Sequence, residues 1–256
     1  MSGYDAFANV YDKLTDNIEY KKRADYISTL FEHYGVKGKE PILDLACGTG
    51  SLSIELAKLG YDMIGTDSAY AMLSRAQEKK YNENVDVLFL CQDMTELDLF
   101  GTISGAVCML DSLNHLESSD DVKKAVDRVA LFMEHGGIFI FDVNTIYKHR
   151  KILADNTFVY DCDDVYCVWQ NSLNDDDSVD ISLDIFELED GAYYRSTEEF
   201  SERAYPIDFY KKLLDDAEFE ILGIYDEMSD RELNGETQRA VFVARYNGYK
   251  QNEKAN

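Results

Sequence analysis

Asp44, four residues ahead of Gly48-Thr49-Gly50, and Asp67, at the end of the next apolar run, are the first residues whose types and spacing suggest chemistry. The run Ile42-Leu43-Asp44-Leu45-Ala46-Cys47 leads straight into the glycines. A buried strand therefore passes through a tight turn into a helix, and backbone there can approach a ligand that a Cβ would hold away. A dinucleotide fingerprint needs a third glycine three positions further on, where this chain has Ser53, and Asp44 would repel a pyrophosphate. A cationic ligand suits that carboxylate better. Asp67 closes the strand-like stretch Tyr61-Asp62-Met63-Ile64-Gly65-Thr66, and its two acceptor oxygens suit a vicinal diol. Asp111 and His115 follow a fourth apolar run. An imidazole, with an unperturbed pKa of about 6.5, takes up a proton near neutral pH, and a carboxylate orients an ammonium or a hydroxyl. A plainer reading of His115, as a packing residue at a helix start, stands beside that of a base, and Asn114 either binds substrate or caps the following helix.

Asp44 with its glycine turn, Asp67-Ser68 and the stretch Val85-Asp86-Val87-Leu88-Phe89-Leu90-Cys91-Gln92-Asp93-Met94 resemble the opening motifs of class I S-adenosylmethionine (SAM) dependent methyltransferases. The resemblance implies SAM as cofactor, its sulfonium and ammonium answering Asp44. It places Ala46, Gly48 and Gly50 beside the methionine moiety, Asp67 and Ser68 at the ribose, and Asp93 with the Met94 amide at the adenine. The likeness extends to both flanks. Tyr4-Asp5-Ala6-Phe7-Ala8-Asn9-Val10-Tyr11-Asp12 resembles the aromatic arm that glycine N-methyltransferase-like and bacterial sugar-amine N-methyltransferases fold over the cofactor. Met109-Leu110-Asp111-Ser112-Leu113-Asn114-His115-Leu116 resembles their fourth-strand loop. On that basis Tyr4, Tyr11, Met72 and Leu110 join the cofactor-binding set. His115, Tyr11 and Asp111 form the catalytic set, with Tyr11 nearest the transferred methyl. No metal is expected.

These residues need elements to hold them. Apolar runs at 41–46, 61–66, 85–90, 103–110 and 137–143 alternate with helical patterns at 50–59, 69–80 and 119–134, after a helix Tyr20 to Tyr34 that ends at Gly35. Such alternation predicts an α/β fold with a doubly wound, mostly parallel sheet. Gly136-Gly137 suits the break before the fifth strand. Between 150 and 204 the period changes to two, over Thr157 to Tyr160, Val165 to Ser172, Val179 to Leu188 and Tyr193 to Arg203, which predicts an antiparallel β cap inserted after strand five. A helix at 206–217 and strands at 219–226 and 238–246 return to complete a seven-stranded Rossmann-like sheet. The expected division is a core of 1–149 and 205–256, with its N-terminal helical arm, and a cap of 150–204. Tyr160, Tyr166, Trp169, Tyr193, Tyr194 and Arg195 are candidates for the cap's pocket wall; Arg195 and Arg239 could bind a carboxylate or form local salt bridges.

A net charge of −25 repels polyanions, so nucleic acid and anionic membranes are poor partners and a small molecule is the expected substrate. No apolar run reaches the roughly 18 residues of a membrane span, and the first residues do not read as a signal peptide, so a cytoplasmic location is expected. The five cysteines lack zinc-site spacing. The expected activity is transfer of a methyl group from SAM to nitrogen or oxygen of a small molecule. Two alternatives remain: a metal-assisted O-methyltransferase using Asp111, Asp142 and Asn144, and a non-catalytic SAM-binding or scaffolding protein.

Overall fold

Apolar runs bounded by turn residues become strands buried on both faces, and amphipathic stretches between them become the helices that cover those faces. The computed structural model describes residues 4–15, 17–36 and 41–248. Helices α1 (Tyr4–Leu14) and α2 (Tyr20–Tyr34) precede β1 (Pro41–Leu45), α3 (Ser51–Lys58), β2 (Asp62–Asp67), α4 (Tyr70–Glu83) and β3 (Val87–Cys91). Then follow β4 (Ile103–Cys108), α5 (Ser119–Phe132), β5 (Met133–Asn144) and a single turn, α6 (Ile146–Lys148). Four strands come next: β6 (Thr157–Cys162), β7 (Val165–Leu173), β8 (Ser178–Glu189) and β9 (Ala192–Arg203). After these come α7 (Ile207–Asp216), β10 (Phe219–Asp226) and β11 (Arg239–Tyr246).

The main sheet has seven strands in the order β10-β11-β5-β4-β1-β2-β3. Its first five strands in sequence pair in parallel, and β11 runs antiparallel between β5 and β10. The chain reverses direction across the sheet between β1 and β4, which is where a doubly wound sheet opens a ligand crevice at its carboxyl ends. One core layer packs α5 and α7 on the sheet, and the other packs α2, α3 and α4 on the opposite face. Gly35 ends α2 in the left-handed region at φ 89°, as a C-terminal glycine does.

The second sheet, β6-β7-β8-β9, is wholly antiparallel. Its inward residues Val165, Cys167, Ile181, Leu183 and Ile185 form a separate core with Val10 of α1. The N-terminal arm thus joins the two sheets. One local expectation changes: Gly136-Gly137 lie within β5 rather than ahead of it. The β4–β5 register slips between Ile103 and Gly105, and Gly136 takes φ 87°, so the glycines absorb an irregularity in the strand instead of ending a helix.

Candidate active site

The turn after β1 folds as its glycines require. Gly50 takes φ 72°, and a Cβ there would fall 2.6 Å from the Phe89 ring. The Gly48 amide donates to Oδ2 of Asp67 at 2.8 Å, and the Ala69 amide donates to Oδ1 at 2.8 Å. Each oxygen of Asp67 is aimed by one backbone donor and keeps a lone pair for a diol. Ser53 accounts for the missing third glycine: it is fully buried, and its hydroxyl donates to Oδ2 of Asp44 at 2.5 Å. Ala46, Gly48, Asp44, Asp67, Ser68, Met72, Met94 and Leu110 line one continuous cleft, and Asp93 lines its extension with Ser68, Gln92 and Met94. Asp93 Oδ1 accepts from both the amide and the hydroxyl of Thr95. Tyr4 opens α1, but its side chain lies outside the described ones.

Helix α1 is tied over this cleft by charge. Lys79 of α4 donates to Asp12, Thr49 and Ser51 at 2.7–2.9 Å, and Thr49 donates to Asp12 at 2.6 Å. Phe7, Tyr11, Leu110, His115 and Phe200 are shared walls between the cleft and a larger cavity beneath the second sheet. That cavity also meets Asp111, Asn144, Lys148, Glu202 and Arg239. Nε2 of His115 lies 3.6 Å from Oε1 of the buried Glu202. The Asn144 amide donates to Asp111 at 2.9 Å and to Glu202 at 3.0 Å, and its oxygen accepts from Lys148 at 2.8 Å.

Residues 42–137 match a family model described as a methyltransferase domain. A protein of Geobacillus sp. (strain WCH70) that bears a methyltransferase name is 33% identical over 244 residues, covering 94% of this chain and 99% of its own. The crystal structure of an S-adenosylmethionine-dependent methyltransferase from Clostridium acetobutylicum ATCC 824 superposes with a TM-score of 0.87 at 33% identity, over 96% of this chain and 99% of that one. The chain belongs to the SAM-dependent methyltransferases. The sugar N-methyltransferase KedS8 of Streptoalloteichus sp. ATCC 53650 shares the fold, with a TM-score of 0.78 at 18% identity over 93% of each chain.

The methyltransferase's cleft after β1 suits a cation at one end. Asp44 is 2% exposed, and burial pushes its carboxyl up to about 7 against the opposing Ser53 hydrogen bond. A nearby sulfonium or ammonium favours the ionised form, so binding such a ligand releases a proton from Asp44. SAM affinity is therefore expected to rise with pH by up to about tenfold per unit below pH 7 and to level above it. The same raised pKa makes this group's contribution to folding most favourable below about pH 4 and progressively less so up to about pH 7, because the folded state holds the proton longer. Calorimetry of SAM binding between about pH 5.5 and 7.5 checks this; an equal slope in Asp44→Asn would assign the proton elsewhere.

The larger cavity carries fixed charge. Arg239 Nη2 lies 2.6 Å from Asp111 Oδ1, and Nη1 lies 2.8 Å from Asp142 Oδ1. Burial opposes ionisation of Asp111, but Arg239, Lys148 and His115 outweigh it and hold the carboxyl well below the usual carboxylate range. Asp111 thus stays an anion and is not a base. Asp111, His115 and Glu202 each offer a ligand atom within 4.8 Å of the others, a spacing that could hold a metal. Yet Arg239 already occupies the place between Asp111 and Asp142 that the metal-assisted reading gave to magnesium, and Lys148 adds a second cation. Burial pushes the phenol of Tyr11 well up, so it faces both spaces as a neutral hydroxyl.

Several sequence candidates point elsewhere. Tyr160 and Trp169 line the larger cavity, whereas Tyr166, Tyr193, Tyr194 and Arg195 are exposed on the second sheet. Tyr166 and Arg195 sit either side of Phe186 in the ladder, on the outward phase of the alternation, and Arg195 pairs with Asp184. Arg239 is spent in its ion pairs rather than left for a substrate carboxylate. Asn114 is buried and neither reaches the cavity nor caps a helix: its amide donates to the Arg203 and Asn144 carbonyls, and its oxygen accepts from the Asn144 amide. Phe200, Glu202 and Lys148 were not foreseen as site residues. Glu202 had a local signal, since a carboxylate sharing the inward phase of β9 with Phe200 must be buried.

Proposed function

We propose that this methyltransferase moves a methyl group from SAM to an amino nitrogen of a small molecule held under the second sheet, with residues 150–204 acting as a substrate cap on a core of 1–149 and 205–256. The observation that carries this is the His115–Glu202 pair, 3.6 Å apart, at the junction of donor cleft and acceptor cavity. Bound SAM supplies an electrophilic methyl on sulfur, which a lone pair displaces in line. The chain then has to position, desolvate and deprotonate.

Asp44 holds the cationic end of the donor, Asp67 the ribose, and Asp93 with Met94 the adenine. Tyr11, Phe7 and Phe200 exclude water from the junction and offer ring faces to a cation. The ionised Asp111 orients the acceptor's ammonium before it loses a proton, and His115 accepts that proton. A cavity of about 1690 Å³, open mouth included, admits a small molecule with room for a sugar-sized ring. The sugar N-methyltransferase likeness of the fold supports nitrogen as acceptor, while an oxygen acceptor assisted by magnesium meets the Arg239 obstacle described above. The net charge of −25 supports a partner that is not nucleic acid. The five cysteines are all unpaired, which supports a reducing, cytoplasmic setting; among the described residues no helix is long and apolar enough to cross a membrane.

Calorimetric titration with SAM and S-adenosylhomocysteine, followed by an acceptor panel of amines and alcohols read by S-adenosylhomocysteine release, tests the proposal. Asp67→Ala is expected to weaken SAM by about 1–3 kcal/mol, roughly 5- to 150-fold. Turnover of alcohols but not amines would overturn the nitrogen assignment. Tight SAM binding with no turnover on any acceptor would favour a sensing role.

A further inference from the structure

Arg23, in the first turn of α2, is a buried cation with open hydrogen-bond donors. Its side chain is 6% exposed, yet Nε and Nη1 have no hydrogen-bond partner. The acids within ion-pair reach stand off: Oδ2 of Asp142 lies 3.5 Å from Nη1, and Oε1 of Glu227 lies 3.9 Å from Nη2. A guanidinium that meets a carboxylate squarely does so at about 2.7–2.9 Å. Buried polar groups are as a rule hydrogen-bonded, and a buried charge without such bonds is costly, so bare donors here mark the place of a missing acceptor. Arg23 lines the larger cavity and not the cleft after β1.

We propose that Arg23 receives a carboxylate of the methyl acceptor, so that the substrate is an amine whose acid group lies several bonds from its nitrogen. That this ligand is methylated rests on the function proposed above; the carboxylate subsite does not. The other cations of the cavity are committed, Arg239 to Asp111 and Asp142 and Lys148 to Asn144. The acids at the Arg23 end have partners or water. Asp142 gives its other oxygen to Arg239, Glu19 pairs with Lys22, and Glu227 is half exposed. A single negative charge fits there, whereas a phosphate dianion would meet a larger repulsion from Asp142 and Glu227. Because Nε and Nη1 hold no hydrogen bond, turning the guanidinium to meet the ligand breaks none there, and a carboxylate supplies two parallel acceptors.

The acid and the amine occupy different ends of the cavity. His115 stands at the junction with the cleft, where the methyl arrives, and Arg23 does not reach that junction. Asp142 and Arg239 lie between Arg23 and Asp111, the acid beside His115. Tyr160 and Trp169 wall the same cavity from the second sheet and suit an apolar chain or ring joining the two groups. Such a spacing fits an ω-amino acid and is too long for glycine.

Calorimetry on the whole protein saturated with S-adenosylhomocysteine tests this, with γ-aminobutyrate, δ-aminovalerate, ε-aminocaproate, glycine and the matching amino alcohols as probes. At least one of the three longer acids is expected to bind about 10- to 100-fold tighter than its amino alcohol and than glycine. Arg23→Met should bring the acid-to-alcohol ratio close to one, and Arg23→Lys, which keeps the charge without the fork, should retain part of it. A separate titration of each variant with S-adenosylhomocysteine reports that its fold is intact. Amino alcohols that bind as tightly as the acids, a preference that survives Arg23→Met, or no binding of any longer acid overturns the proposal. Failure of nitrogen methylation would appear separately, as acids that bind through Arg23 but yield no S-adenosylhomocysteine when SAM is supplied.

Discussion

Arg239→Ala is expected to destabilise the protein by about 3–5 kcal/mol at neutral pH, because it strands the buried Asp142 and the mostly buried Asp111. Asp142 is fully buried; its Oδ1 takes Arg239 at 2.8 Å and the Asp111 amide at 2.6 Å, and its Oδ2 lies 3.5 Å from Arg23. Asp111 depends on the other arm of the same guanidinium. Lysine keeps one charge but lacks the fork that spans both acids, so Arg239→Lys should recover only part of the loss. The sign with pH follows from the depressed Asp111 pKa. Its contribution is present above the ordinary carboxylate range and is lost as pH falls through the lower folded value. Without Arg239, burial acts on Asp111 with less opposition and protonation relieves it, so the gap between wild type and Arg239→Ala should narrow from about pH 7 to pH 5. Urea unfolding of both proteins at the two pH values measures this. A loss below about 1 kcal/mol would mean that water screens the cluster as it does a surface pair.

His115→Ala should lower kcat by about 10²–10⁴-fold, the range for removing a positioned proton acceptor, while the Kd for SAM changes little. The ring borders the donor cleft and the acceptor cavity, but neither of the donor-holding acids Asp44 and Asp67 hydrogen-bonds to it. The loss belongs in kcat rather than in SAM binding. Profiles of kcat against pH for wild type, His115→Ala and His115→Gln, with the best acceptor from the panel, separate base from scaffold. Equal kcat in all three would mean that the acceptor arrives already deprotonated and that Asp111 and Glu202 only orient it.

Local pattern determined the architecture of this protein. Alternation with period two marked β6 to β9, and apolar runs alternating with amphipathic helices marked the parallel sheet, because each side chain's burial depends on its own strand or helix phase. The cleft after β1 and β2 was legible for the same reason: Asp44, the Gly48-Thr49-Gly50 turn and Asp67 lie on adjacent strands and the turn between them, where a few consecutive residues set the backbone shape. The cavity beneath the second sheet was decided only by tertiary structure. Asn144 gathers Asp111 from 33 residues before it and Glu202 from 58 after it, and Lys79 of α4 fastens α1 to the glycine turn across 67 residues. A strand's period says that Glu202 is buried and that Tyr166 faces out, but not which elements lie opposite. Those partners follow from how β9 folds back over the ends of β4 and β5, a long-range arrangement that no residue's neighbours in sequence encode.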